Sequence, residues 1–75
     1  MECGVTTSIR SVQDLSQRIR ARRRSLGMTQ EECAALCGVG PRFVREVEGG
    51  KETCQFGRVL RLLEGLGLRL ELDEG

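Results

Sequence analysis

Histidine, tryptophan and tyrosine are absent from this 75-residue chain, phenylalanine occurs twice and proline once. Each shortage closes off a class of function. Without histidine there is no side chain whose unperturbed pKa lies near neutral pH and no imidazole to bind a metal. Catalysis would then rest on a cysteine or a carboxylate pair, and none stands beside a recognisable base or orienting group, so no enzymatic activity and no cofactor are expected. Glycine motifs fail as phosphate cradles: Gly38 and Gly40 lack the third glycine of a dinucleotide fingerprint, and Gly50-Lys51 is followed by Glu52 rather than Ser or Thr. No apolar run approaches the roughly 18 residues of a membrane span. Nor does a signal-peptide layout open the chain, so a cytoplasmic protein with no membrane partner is expected.

With Phe43 and Phe56 as the sole aromatics, core mass falls to Leu, Val and Ile. A chain of this size buries only about 60% of its unfolded surface. Dimerisation should therefore share in its stability. Four cysteines, Cys3, Cys33, Cys37 and Cys54, form no C-x-x-C pair and have no histidine to join them. Cys33 and Cys37 fall at i, i+4 and read as small buried hydrophobes; no metal site and no disulfide is expected.

The net charge of +1 conceals an uneven distribution. Residues 1–30 carry six arginines against Glu2 and Asp14, a balance of +4, whereas residues 64–75 carry one arginine against four acids, a balance of −3. A basic front and an acidic tail suit a protein that meets phosphates with one end.

The most informative stretch is Thr29 to Lys51. Thr29 and Glu32 have the spacing of a capping box, and Cys33, Leu36 and Cys37 then follow at i, i+3, i+4 as the inward face of a helix. Gly38 ends that helix, and Val39 can plug inward across the turn. Pro41 suits the first position of a second helix, with Gly40 as its cap. Val44 and Val47 should face inward, which turns Arg42, Arg45 and Glu46 to solvent before Gly49-Gly50 closes the run. Two short helices, a glycine-bearing turn and outward arginines give the layout of a helix-turn-helix reader of DNA. The bland alternative is a helical hairpin with solvated arginines.

Before this unit, Ser11 and Asp14 form a capping-box-like pair that opens a helix running to about Leu26, with Val12, Leu15, Ile19 and Leu26 as its buried stripe. Arg18, Arg20, Arg22 and Arg24 should point mostly outward. After it, a helix from Gln55 or Phe56 to Leu66 presents Phe56, Val59, Leu60, Leu62, Leu63 and Leu66, a face broad enough to cap the core and meet a partner. Gly57 and Gly65 weaken this helix by about 1 kcal/mol each relative to Ala. Leu68-Arg69-Leu70-Glu71-Leu72 then alternates apolar and charged residues, as a half-buried strand does. It needs a partner strand, and the same strand of a second copy is the expected mate.

Leu26-Gly27-Met28-Thr29-Gln30-Glu31-Glu32, Cys33-Ala34-Ala35-Leu36-Cys37-Gly38-Val39 and Val47-Glu48-Gly49-Gly50-Lys51 resemble the opening, middle and close of the phage-repressor and Cro (Xre) type of helix-turn-helix. The helix ending Leu63-Glu64-Gly65-Leu66-Gly67-Leu68 and the tail Leu68-Arg69-Leu70-Glu71-Leu72 narrow the resemblance to HipB-like antitoxins, over roughly residues 9 to 73. The resemblance implies a mainly α, phage-repressor-like four-helix domain with a C-terminal β-strand pairing across a homodimer. It also implies binding of palindromic operator DNA in the bacterial nucleoid, and a HipA-like serine/threonine kinase toxin as a further partner. Arg23 stands where such proteins carry an arginine that reaches the glutamate matched here by Glu48. The chain departs from the pattern at Gly40, where a Ser or Thr cap is usual, and at Gly49, where Asn or Arg is frequent.

These readings divide the chain into an arm (residues 1–10), a helix-turn-helix domain (11–67) and a dimerisation strand (68–75). The expected DNA contacts are Thr29, Gln30, Gly40, Pro41, Arg42, Arg45 and Lys51, with Gln30 holding backbone phosphate at the amino end of its helix. A toxin partner also offers a source of regulation, because so small a chain should have no room for a ligand pocket of the usual 300 Å³ or more. A stand-alone repressor, or an interaction module that has lost DNA, are the alternatives.

Overall fold

The computed structural model describes residues 9–71. Four helices follow one another: α1 (Val12–Ser25), α2 (Gln30–Cys37), α3 (Pro41–Glu48) and α4 (Phe56–Gly65). Of the arm, only Ile9 and Arg10 fall within the described residues; Cys3, Leu72 and the last three residues lie outside them.

The first two helices begin where a side chain satisfies a first-turn N–H group. Ser11 Oγ accepts from the Asp14 N–H at 3.2 Å. The Asp14 carboxylate bonds the Arg10 N–H at 3.0 Å rather than that of Ser11, so the pair is not reciprocal. At α2 the capping box is complete: Thr29 Oγ1 accepts from Glu32 N–H at 3.0 Å, and the Glu32 carboxylate accepts from Thr29 N–H at 2.9 Å. Gly40 caps α3 without a side-chain bond, and Pro41 occupies the first turn. Gly38 stops α2 in the left-handed region at φ 74°, which lets Val39 N–H reach back to the Ala34 carbonyl at 3.1 Å. A residue with a Cβ would be strained there, so the sharp α2–α3 turn depends on glycine.

The helices enclose one core. Ile19, Val44, Leu62, Leu66 and Cys33 are fully buried, and Ala34, Cys37, Phe43, Val47, Val59 and Leu63 complete the cluster. Burying each of the large aliphatics contributes about 1.5–3 kcal/mol relative to leaving it in water. Cys33 and Cys37 therefore serve as core residues, as expected. Val39 and Leu68 pack against the cluster from its edge.

Two apolar assignments need correction. Leu36 is 59% exposed, because α2 turns Cys33, Ala34 and Cys37 inward; Leu36 lies about 100° around the helix from their centre. Leu26 is 44% exposed, because it falls beyond the end of α1, where the chain turns, and Arg23 and Ser16 take inward places on that helix instead. Of the broad α4 face, Val59, Leu62, Leu63 and Leu66 are buried whereas Phe56 and Leu60 remain on the surface. Phe43, not assigned to the core from the sequence, is buried on α3 beside Val44 and Val47.

No strand occurs among the described residues: Leu68 to Glu71 have no regular structure. A strand exists through its pairing, and a single copy offers this segment no mate. At the α4 exit, Gly67 is left-handed at φ 75° and Leu68 N–H bonds the Leu63 carbonyl at 2.8 Å. Arg22 Nε donates to the Leu66 carbonyl at 2.8 Å, so this outward arginine of α1 fixes the point from which the terminal segment leaves. Arg69 Nη2 lies 3.2 Å from Glu71 Oε2 of the same chain, a contact between residues two apart that an extended backbone brings to one side.

A shallow depression of about 460 Å³ lies open on α4, lined by Gln55, Gly57, Arg58 and Arg61. Its lining is exposed and cationic, unlike the apolar enclosure of small-molecule sites, so it is a surface groove rather than a ligand pocket. No described helix is long and apolar enough to cross a membrane. No group of three or more potential metal ligands occurs among the described residues.

Candidate nucleic-acid interface

The placement of α3 rests on a buried ionic junction. Arg23 Nε and Nη2 donate to the two Glu48 carboxylate oxygens at 2.6 and 2.9 Å, and Arg23 Nη1 donates to the Met28 carbonyl at 2.8 Å. Gln30 Nε2 adds a bond to Glu48 Oε1 at 3.1 Å. The Arg23 and Glu48 side chains are 10% and 4% exposed, so the expected pair is present and almost fully buried. It joins α1, the start of α2 and the end of α3 in one network. Beside it, the Ser16 hydroxyl donates to the Val47 carbonyl at 2.6 Å, a second tie between α1 and the end of α3.

The electrostatics follow from that geometry. The Glu48 hydrogen bond raises the Arg23 pKa, against the effect of burial. Burial pushes the Glu48 carboxyl up, but the bonds from Arg23 and Gln30, with the Arg23 charge, outweigh it and hold the group below its ordinary value. Desolvation and the neighbouring Cys37 push the Cys33 thiol up to about 12, and desolvation likewise raises Cys37. Both are neutral thiols at physiological pH.

With its inner face fixed, α3 presents Arg42, Arg45 and the half-buried Glu46 outward. Arg45 Nη2 lies 4.0 Å from Glu31 Oε2 on the first turn of α2, which brings Arg45 beside the amino end of that helix. Glu46 Oε2 lies 3.4 Å from Arg42 Nε and 3.4 Å from Lys51 Nζ, which gathers those two cations at the far end. Gly40 and Pro41 stand at the amino end of α3. Gln30 is only in part where the sequence placed it: it sits at the amino end of α2, with its amide nitrogen engaged by Glu48. Leu68, Arg69, Leu70 and Glu71 lie past α4 as a separate group.

Sequence reasoning passed over Ser16, Glu31 and Glu46 as parts of this site, and Arg22 as the residue that holds the tail. For Glu46 the signal was present, since it stands at i+4 from Arg42 on a helix. The reach of Arg22 to the Leu66 carbonyl spans 44 positions and has no local signature.

Comparison with known proteins gives a consistent result. The family described as "Helix-turn-helix domain" matches residues 14–74. The uncharacterized HTH-type transcriptional regulator y4mF of Sinorhizobium fredii is 36% identical over 64 residues, which cover 85% of this chain and 84% of that protein. Among solved structures, HipB in a complex with an O4 20mer superposes with a TM-score of 0.83 at 22% identity, covering 92% of this chain and 97% of that one. HipB in a HipA-HipB-O2-O3 complex gives a TM-score of 0.84, with the same identity and coverage. The restriction-modification controller protein C.AhdI of Aeromonas hydrophila gives a TM-score of 0.68 at 29% identity, covering 77% of this chain and 84% of that one.

Proposed function

This chain belongs to the helix-turn-helix domain family of transcriptional regulators, a non-enzymatic family, and from that premise we propose a homodimeric repressor that reads palindromic double-stranded DNA and serves as the antitoxin of a HipBA-type pair. One observation carries the DNA-reading part: the Arg23–Glu48–Gln30 junction fixes the end of α3 against α1 and α2 while Arg42 and Arg45 stay exposed. Arg42 and Arg45 enter the major groove, where arginine pairs bidentately with guanine O6 and N7. Thr29, Gln30, Gly40, Pro41 and Lys51 meet the sugar-phosphate backbone around them, positioning the helix without reading sequence.

Dimerisation is assigned to the terminal segment. Antiparallel pairing centred on Leu70 sets Arg69 opposite Glu71 of the other copy, so the contact now made within one chain is exchanged for two between chains. Leu68 already packs on the core, and Leu70, 42% exposed, is free to be covered. The antitoxin role is supported by the likeness of nearly the whole chain to HipB in the complex that also contains HipA. A HipA-like serine/threonine kinase is the partner this reading requires. Likeness to a restriction-modification controller favours a second reading, a regulator with no toxin.

Purification of the tagged protein from its native host separates the two. Stoichiometric recovery of a kinase-like protein supports the antitoxin; repeated recovery of the homodimer alone, with no such gene alongside, favours the plain repressor.

A further inference from the structure

The outward face of α3 holds three charged side chains, and one has the sign that phosphates repel. Glu46 lies between Arg42 and Lys51, 3.4 Å from each, with its side chain 30% exposed against 86% and 48% for the two cations. In the free protein one carboxylate thus offsets two of the positive groups that would otherwise attract any duplex. Once α3 approaches DNA, those cations turn to phosphate or base, and the carboxylate needs a hydrogen-bond donor in their place. Water is displaced from the groove contact, and the DNA backbone supplies only acceptors. The major groove offers amino donors on adenine N6 and cytosine N4, and cytosine N4 is the one a glutamate characteristically accepts from.

We propose that Glu46 is a specificity-determining residue: it restrains Arg42 and Lys51 from indiscriminate phosphate binding and accepts from a cytosine amino group at one position of each half-site. This rests on the reading of α3 as the groove-entering helix. A site without a donor at that position leaves the carboxylate unpaired beside the bases, and it is rejected for that reason rather than for want of attraction.

The test uses a duplex pool with a randomised core, selected in parallel by the full-length protein, by Glu46→Gln and by Glu46→Asp. Affinities are then measured for the wild-type selected duplex and a scrambled duplex across salt. Glu46→Gln should lose the cytosine preference at that position and bind the scrambled duplex more tightly. Its ratio of selected to scrambled affinity should fall roughly 5- to 150-fold, the discrimination of one base contact. Its salt slope should steepen by about 1 per protomer as a cation is released to phosphate. Glu46→Asp, which keeps the carboxylate, should retain part of the preference, and an unchanged unfolding midpoint in both variants confirms an intact fold. If wild type enriches a site while Glu46→Gln keeps the same preference, ratio and slope, Glu46 is only a surface ion-pair partner and the proposal is overturned. Failure of the wild type to bind any duplex is a different result, which overturns the reading of α3 itself.

Discussion

Arg23 and Glu48, 25 positions apart, are joined by two hydrogen bonds of 2.6 and 2.9 Å within a nearly dry junction. A buried pair is costly to break because the surviving charge loses both its solvent and its partner. Arg23→Ala or Glu48→Ala should therefore destabilise the fold by about 3–5 kcal/mol in chemical denaturation, whereas the double change Arg23→Met with Glu48→Met should be far milder. Equal losses in the single and double variants would show that packing, not charge, holds the junction.

Acid should act through the same residue. Because Glu48 is held below its ordinary pKa, its stabilising contribution is fully present above the unfolded value of roughly 4.3 and disappears as pH falls through the lower folded value. Unfolding followed by circular dichroism from neutral to acidic pH should show a loss of stability below roughly pH 4 that Glu48→Gln lacks. Parallel curves for the two proteins would remove Glu48 as the source.

The two α4 glycines should respond in opposite directions. Nothing stands within 4 Å of a Cβ added at Gly57, so Gly57→Ala should stabilise by about 0.5–1 kcal/mol. A Cβ at Gly65 would run into the Cys37 sulfur, so Gly65→Ala should destabilise by about 1–3 kcal/mol through overpacking. Thermal midpoints of the pair decide this, and a shift of the same sign in both would contradict the α2–α4 packing.

Thiol labelling gives an independent view of the core. Cys33, with its pKa near 12, and Cys37 should resist alkylation in the native state, while the half-exposed Cys54 reacts. Peptide mass spectrometry should find Cys33 and Cys37 modified only after unfolding. Rapid native labelling of either would mean that α2 opens readily.

Much of this architecture is legible in local sequence because its signals are local. Ser11, the Thr29–Glu32 box, Gly38 and Pro41 mark helix ends through chemistry confined to the adjoining turn, and the structure places the ends there. Leu26 and Leu36 were misplaced because periodicity records apolar spacing but not where a helix stops or which neighbours it must face. Arg23 with Glu48 was legible through family resemblance, whereas Ser16 to Val47 and Arg22 to Leu66 depend on helices meeting across the fold, and a lone Ser or Arg in a helix announces neither. The Leu68 to Leu72 pattern has no observable outcome in one chain, since its expected mate belongs to another copy.

Removal of residues 68–75 tests that mate. Sedimentation should convert a dimer to monomer, because the Arg69 and Glu71 exchange and the Leu70 cover are lost together. A truncated dimer of undiminished stability would move the interface to the exposed Phe56 and Leu60 on α4.

The central claim is that α3 carries this chain onto duplex DNA, and fluorescence anisotropy with a selected duplex across roughly 50 to 200 mM salt tests it most directly. Log affinity should fall linearly with log salt, by a factor of about a thousand or more over that range for a dimer making several phosphate contacts. Arg45→Ala should weaken the selected duplex by about 1–3 kcal/mol while changing a scrambled duplex much less. Binding that ignores salt, or an equal loss on both duplexes, would contradict the account.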